Sequence, residues 1–284
     1  MRIKKNNTVA ILNERGEIFS LKVDGKEYMW HADAKYWGWT SPTLFPFAGR
    51  VRDGKMKIGG VEYVQPTMHG FIRNLNHTVK EMGEDYCILA ACSNEKTLER
   101  YPFPFVFETK YAVTDRGYEI GFTVKNTGDK PMPFCLGSHP AYLLPGELKN
   151  CDLIVEGTEN AAYYATDEKG LYDCKVLLGR AYGDKVPLDF DLFLKHGVLF
   201  HELGEKKAFS VIDRTTGRGF KIKCDQFPAC VLWMPSEDCP FICVEPWHGL
   251  PDHPETDGNF EDKAFLITIN PGEEHTLSYT FEAI

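Results

Sequence analysis

Four short segments of this 284-residue chain place ionisable side chains beside turn residues or aromatics. They are Pro46-Phe47-Ala48-Gly49-Arg50, Met68-His69-Gly70-Phe71, Gly137-Ser138-His139-Pro140-Ala141-Tyr142 and Val244-Glu245-Pro246-Trp247-His248-Gly249. Two imidazoles, a carboxylate and a guanidinium form a set that can move protons and hold hydroxyls. Each residue also has a plainer use. His69 before Gly70 fits the filling of a turn, and His139 before Pro140 is steered toward extended backbone, which suits any strand end. Glu245 is harder to set aside. It follows the apolar run Phe241-Ile242-Cys243-Val244, where a buried strand would finish, and a carboxylate there is costly without a partner. Trp233 and Trp247 fit a core as well as a platform for the apolar face of a ligand.

The frame that must hold these segments reads as strands. Thr8 to Leu12 and Glu17 to Val23 flank the turn-rich Asn13-Glu14-Arg15-Gly16, and Met56, Ile58, Val61 and Tyr63 surround a tight Gly59-Gly60 hairpin. Phe105, Phe107, Thr109, Tyr111 and Val113 alternate with mostly polar neighbours up to Asp115-Arg116-Gly117. Tyr118, Ile120, Phe122 and Val124 continue with the same period of two, and Leu277, Tyr279 and Phe281 repeat it after Pro271-Gly272. Helical periodicity is confined to Asn94–Arg100, ahead of Pro102. Many short strands at close intervals predict an all-β fold, a large antiparallel β-sandwich. No repeat, low-complexity tract or compositional shift marks a linker, so residues 1–284 read as a single domain. Loops at strand ends of such a scaffold are where binding groups sit.

The net charge of −9 disfavours nucleic acid as the main partner, because phosphate binding needs a basic face. Met1 to Asn7 is basic but has no apolar stretch behind it, and no apolar run is long enough to cross a bilayer, so no membrane is expected and the location reads as cytoplasmic. The nine cysteines are odd in number, scattered and free of any CxxC pair, which predicts reduced thiols filling core volumes. Zinc ligands at short spacing are absent from the sequence, so neither metal nor cofactor is expected.

Taken together, the segments resemble the aldose 1-epimerase (galactose mutarotase-like) family. Tyr101-Pro102-Phe103-Pro104-Phe105, Val124-Lys125-Asn126-Thr127-Gly128, Met132-Pro133-Phe134 and Gly137 to Tyr142 follow that family's middle section. Phe47 to Arg50 and His69-Gly70-Phe71 fall where the family carries its first sugar-contacting arginine and histidine. Cys243-Val244-Glu245-Pro246-Trp247 looks like the catalytic glutamate segment of its divergent bacterial branch. The likeness runs in order from about Phe45 to the C-terminus.

The resemblance implies a small-molecule sugar as substrate and anomer exchange as the reaction, with Glu245 as base and His139 as acid. His69, Arg50 and Arg73 are implied to bind sugar, with Trp233 and Trp247 as candidate platforms. A proton must leave the C1 hydroxyl while another reaches the ring oxygen, which one base and one acid accomplish. With ordinary pKa values of ~4.3 and ~6.5, the pair would start ionised and partly protonated without special tuning. The sequence departs from the family in two places. The aspartate that better-known members use to grip hydroxyls has no clear counterpart among Asp189, Asp191 and Asp213. In His69-Gly70-Phe71-Ile72-Arg73 the arginine stands in for other contacts.

Three further readings follow. Arg50, Arg52, Lys55 and Arg73 lie close enough in sequence to build an anion site for a 6-phosphorylated sugar, although Arg52 and Lys55 fit a solvated hairpin equally well. A non-catalytic carbohydrate-binding module suits the same fold, but a pure binder has no need of both Glu245 and His139. A glycosidase normally needs two carboxylates across the scissile bond, and the motifs offer one.

Overall fold

The computed structural model describes residues 1–157, 161–172, 177–180, 185–193 and 197–284. Alternating side chains organise it into antiparallel sheets. A nine-stranded sheet runs, in spatial order, through Lys185–Pro187, Cys151–Glu156, Ala208–Asp213, Gly219–Lys223, Glu274–Ala283, Gly117–Asn126, Phe105–Thr114, Tyr86–Cys92 and Thr78–Met82. An eight-stranded sheet runs through Leu177–Arg180, Ala162–Ala165, Val198–Phe200, Ala229–Trp233, Phe241–His248, Leu136–Ser138 and Thr43–Leu44, with Ala141–Leu143 also pairing to Phe241–His248. A four-stranded sheet, Arg2–Lys5 to Lys26–Glu27, precedes both.

The period-two pattern does what it predicted. Phe105–Thr114 pairs with Gly117–Asn126 over ten positions, from Phe105 opposite Asn126 to Thr114 opposite Gly117. Its apolar set faces inward, and Phe105, Phe107, Tyr111 and Val113 are all buried. The Gly59-Gly60 hairpin is present with both glycines at positive φ (55° and 80°), the left-handed backbone that a two-residue turn of this kind requires. The short helix is Glu95–Leu98. Asn94 caps it, accepting from the Thr97 N–H while Thr97 Oγ1 accepts from the Asn94 N–H.

The two large sheets pack face to face through aromatics. Tyr142, on the eight-stranded sheet, stacks on Phe281 of the other sheet (5.0 Å between ring centroids), and its hydroxyl bonds the Tyr118 hydroxyl at 2.8 Å. Ser138 bonds the Tyr279 hydroxyl across the same gap at 2.9 Å. The register then fixes the two faces of Phe241–His248. Ile242 lies opposite the core residue Tyr142, so Ile242 and Val244 turn toward the nine-stranded sheet. Cys243, Glu245 and Trp247 turn the other way. A second, smaller apolar cluster covers that outer face and includes Leu199, Val231 and Trp247.

Among the described residues no helix is long and apolar enough to cross a membrane. Eight cysteines, Cys87, Cys92, Cys135, Cys151, Cys224, Cys230, Cys239 and Cys243, are free thiols, all buried except Cys92. The remaining one, Cys174, lies outside the described residues.

Candidate active site

The outer face of the eight-stranded sheet carries a cavity of about 310 Å³, at the lower end of the range for small-ligand sites. Glu245, His139, His69, Arg50, Arg73, Trp233 and Trp247 all line it. Residues scattered over almost 200 positions of sequence therefore converge on one space.

Glu245 is delivered by strand register, opposite Val231, whose side chain also lines the cavity. It is 1 % exposed. Its Oε2 accepts the Trp247 Nε1–H at 3.1 Å and lies 3.4 Å from His139 Nε2, while Oε1 has no partner in the protein. His139 follows the strand Leu136–Ser138 and is pinned by its backbone N–H, which donates to the Pro42 carbonyl at 3.0 Å. Its ring stacks on Trp37 at 4.7 Å and meets the edge of Trp233 at 5.7 Å. Both tryptophans are therefore cavity walls, and Trp247 is a hydrogen-bond donor to the carboxylate as well.

His69 depends on two unusual backbone sites. It sits at φ 67°, and the following Gly70 at φ 66° packs so tightly that a Cβ would lie 2.0 Å from the Phe45 carbonyl oxygen, which only glycine tolerates. The Gly49 N–H donates to His69 Nδ1 at 3.0 Å. That bond fixes the tautomer, leaving the proton of the neutral ring on Nε2. The ring lies edge-on to His139 at 5.4 Å.

Burial sets the protonation of this group and changes the expectation of ordinary pKa values. His139 is pushed down to about 3, chiefly by burial and then by the charge of Arg73. His69 falls well below its ordinary value, through burial and the neighbouring His139, Arg73 and Arg50. Glu245 is raised well above the carboxylate range by burial, opposed by the Trp247 bond. A sequence shows which groups are present but not how much water they keep, and water is what ordinary values assume. An isolated charge on either member of the buried His139–Glu245 pair is disfavoured, so the pair is best described as sharing one proton.

The two arginines differ. Arg50 is exposed at the cavity edge. Arg73 is half-buried, donates from Nη2 to the Met68 carbonyl at 3.0 Å, and rests its guanidinium 5.0 Å above the Trp39 ring. Arg52 and Lys55 are not part of the cavity. Arg52 bonds the Thr256 carbonyl and pairs with Asp53, and Lys55 pairs with Glu62.

None of Asp189, Asp191 and Asp213 lines the cavity. Asp189 accepts from the Asp191 backbone, and Asp213 accepts from Thr215 in a turn, so these carboxylates serve local structure. The second cavity carboxylate is Glu168, on the loop that also brings Lys169 and Gly170. Glu168, Lys169 and Trp37 escaped the sequence reading because no motif surrounds them and only the tertiary arrangement brings them in. Asp252, next to the cavity residue Pro251, pairs with Lys263 at 2.5 Å, with both side chains buried. A further departure concerns ligand spacing. His139, Cys243 and Glu245 bring one potential metal-binding atom each to within 4.8 Å of one another. Spacing rules for helical or looped motifs do not capture two residues on one strand face joined by a third that follows a neighbouring strand.

Comparison with known proteins agrees with this architecture. The family model described as aldose 1-epimerase matches residues 1–282. The chromosomal and plasmid LacX proteins of Lactococcus lactis subsp. lactis are 29% and 30% identical to this chain, each over 96% of it and 95% of their own length. A galactose mutarotase-like protein from Lactobacillus casei superposes with a TM-score of 0.88 at 27% identity, over 100% of this chain and 99% of its own. A galactose mutarotase related enzyme from Lactobacillus acidophilus shares the fold with a TM-score of 0.91 at 24% identity, over 100% and 97%. With a cavity that gathers the arginine, both histidines and the glutamate, and a family match over nearly its full length, this chain belongs to the aldose 1-epimerase family.

Proposed function

We propose that this protein is an aldose 1-epimerase that interconverts the α and β anomers of a neutral aldohexose. The observation that carries the reading is the contact of His139 Nε2 with Glu245 Oε2 at 3.4 Å, buried at the base of a cavity walled by aromatics. In the ion-pair form, Glu245 takes the C1 hydroxyl proton as the bond from C1 to the ring oxygen breaks, and His139 delivers its proton to that oxygen. The product is an open-chain aldehyde beside a protonated Glu245 and a neutral His139. Rotation about the C1–C2 bond presents the other carbonyl face, and the same two transfers run in reverse to close the ring.

Each turnover thus needs both distributions of the shared proton, charged before opening and neutral afterwards. Burial works against the charged form, so the neutral pair is the resting state and the ion pair is the reactive one. His69 stays neutral and offers its Nε2–H to a sugar oxygen as a donor. Arg50, Arg73 and Glu168 are placed to hold hydroxyls, and Trp37, Trp233 and Trp247 flank the apolar face of the ring. Polarimetry of freshly dissolved single-anomer hexoses, with wild type beside Glu245→Gln, tests this reading.

One observation favours the phosphorylated-sugar alternative. Lys169 joins Arg50 and Arg73 among the cavity residues, giving it three cations against Glu168 and Glu245. Arg73 already spends one donor on Met68, and Glu168 sits beside Lys169, so we assign a neutral sugar as the preferred substrate. The module reading is disfavoured because a binder has no use for a shared buried proton.

A further inference from the structure

We propose that the base of this cavity is also a site for a thiophilic divalent cation of the zinc class, held by His139, Cys243 and Glu245. The cation would occupy the space where the sugar's anomeric centre reacts. The inhibition it implies rests on the function proposed above, whereas the binding does not.

Cys243 and Glu245 stand two residues apart on one face of Phe241–His248, and their partners across the ladder, Trp233 and Val231, both line the cavity. His139 comes from the segment between Leu136–Ser138 and Ala141–Leu143. One donor atom from each lies within 4.8 Å of the others, and no other group of three such side chains is found among the described residues. In a zinc tetrahedron, neighbouring ligand atoms stand about 3.3–3.6 Å apart. The His139–Glu245 contact of 3.4 Å already meets that spacing, and the sulfur has about 1 Å to close.

Glu245 Oε1 is buried without a partner, so this polar cluster is not internally satisfied and keeps a free carboxylate oxygen for an occupant. The Cys243 thiol is fully buried beside that carboxylate, a position where packing alone would be served as well by a side chain without metal affinity. A divalent cation reverses the local penalty on ionised groups. Its charge is matched by one thiolate and one carboxylate, with His139 binding through the Nε2 lone pair and carrying its proton on Nδ1. Binding then releases the thiol proton and any proton on the carboxyl, so it strengthens as pH rises. The fourth position opens toward the cavity, as in sites that keep a water.

The test is direct binding to the full-length, demetallated protein without sugar. Calorimetric titration with Zn²⁺ is expected to give one site per chain. Titration with Co²⁺ is expected to give a near-ultraviolet thiolate-to-cobalt charge-transfer band. Cys243→Ala and the nearly isosteric Cys243→Ser should each lose the band and bind zinc at least about tenfold more weakly. Wild-type cobalt spectra need no variant, so a misfolded substitution does not spoil the test. Absence of a stoichiometric site, or zinc affinity equal in wild type and both Cys243 variants, overturns the proposal. Zinc bound through Cys243 by a protein without mutarotase activity would uphold the site and overturn the function. A mutarotase that binds zinc at this site and keeps full rate would overturn the inhibitory role.

Discussion

Gly49 and His69 hold each other through two hydrogen bonds. The Gly49 N–H donates to His69 Nδ1 at 3.0 Å, and the His69 N–H donates to the Gly49 carbonyl at 2.7 Å. The pair ties the Arg50 segment to the His69 segment, 20 residues apart, and presents the His69 Nε2–H to the cavity. Gly49 is itself locked. It lies at φ 76°, and a Cβ there would come within 2.5 Å of the Pro251 side chain. Gly49→Ala is therefore expected to displace His69 and raise KM while lowering kcat, measured by steady-state polarimetry. Unchanged constants in a folded variant would contradict the link.

The same histidine has a signature in stability against pH. Folded His69 and His139 have depressed pKa values, so between those values and about 6.5 the unfolded chain binds more protons and stability rises with pH. Glu245, raised on folding, acts oppositely above about 4.3 and offsets His139, leaving His69 without a counterpart within the pair. Melting temperature is expected to drop between pH 7.5 and pH 5 in wild type and to drop less in His69→Asn. The difference corresponds to as much as about 1.4 kcal/mol per pH unit. Parallel curves for the two proteins would show that His69 does not change protonation on folding.

Asp252 ties the chain at Arg50 and Arg52, beside the cavity, to Lys263 and Tyr172. Its carboxylate pairs with Lys263 and accepts the Arg52 N–H, its own N–H donates to the Arg50 carbonyl, and its carbonyl accepts from Tyr172. Removing one member of a buried ion pair leaves the other charge uncompensated. Lys263→Met is expected to cost about 3 kcal/mol, read from urea denaturation, and to raise KM. A loss under about 0.5 kcal/mol would place the pair in the surface class.

Substrate charge is tested by comparing kcat/KM for glucose or galactose with the matching 6-phosphates. The neutral sugar is expected to be preferred. A tenfold preference for the phosphate, lost in Arg73→Ala or Lys169→Ala, would move the assignment to the anionic sugar.

The frame was legible because its signals are local. Alternation in Phe105 to Val124, the Gly59-Gly60 turn and the helical stretch within Asn94–Arg100 each depend on a few adjacent residues, and each appears where its chemistry demands. At the site, Glu245 stood out as a carboxylate ending an apolar strand, and the histidines stood out through their proline and glycine neighbours. Trp37, Glu168 and Lys169 did not, because each belongs to the cavity only through packing. Protonation was misjudged for the same reason. The depressed histidines and the raised glutamate follow from desolvation, which becomes visible once the sheet face is closed over.

The central claim is that Glu245 and His139, sharing one proton between them, relay protons to and from a sugar. The most direct measurement follows anomeric-proton NMR of freshly dissolved α-glucose and α-galactose with chelator-treated enzyme, beside Glu245→Gln and His139→Asn. The account predicts anomer exchange faster than buffer without added cofactor, and a loss of roughly two to four orders of magnitude in each folded variant. Relaxation at the buffer rate for these sugars and their phosphates, or wild-type turnover in Glu245→Gln, would contradict it.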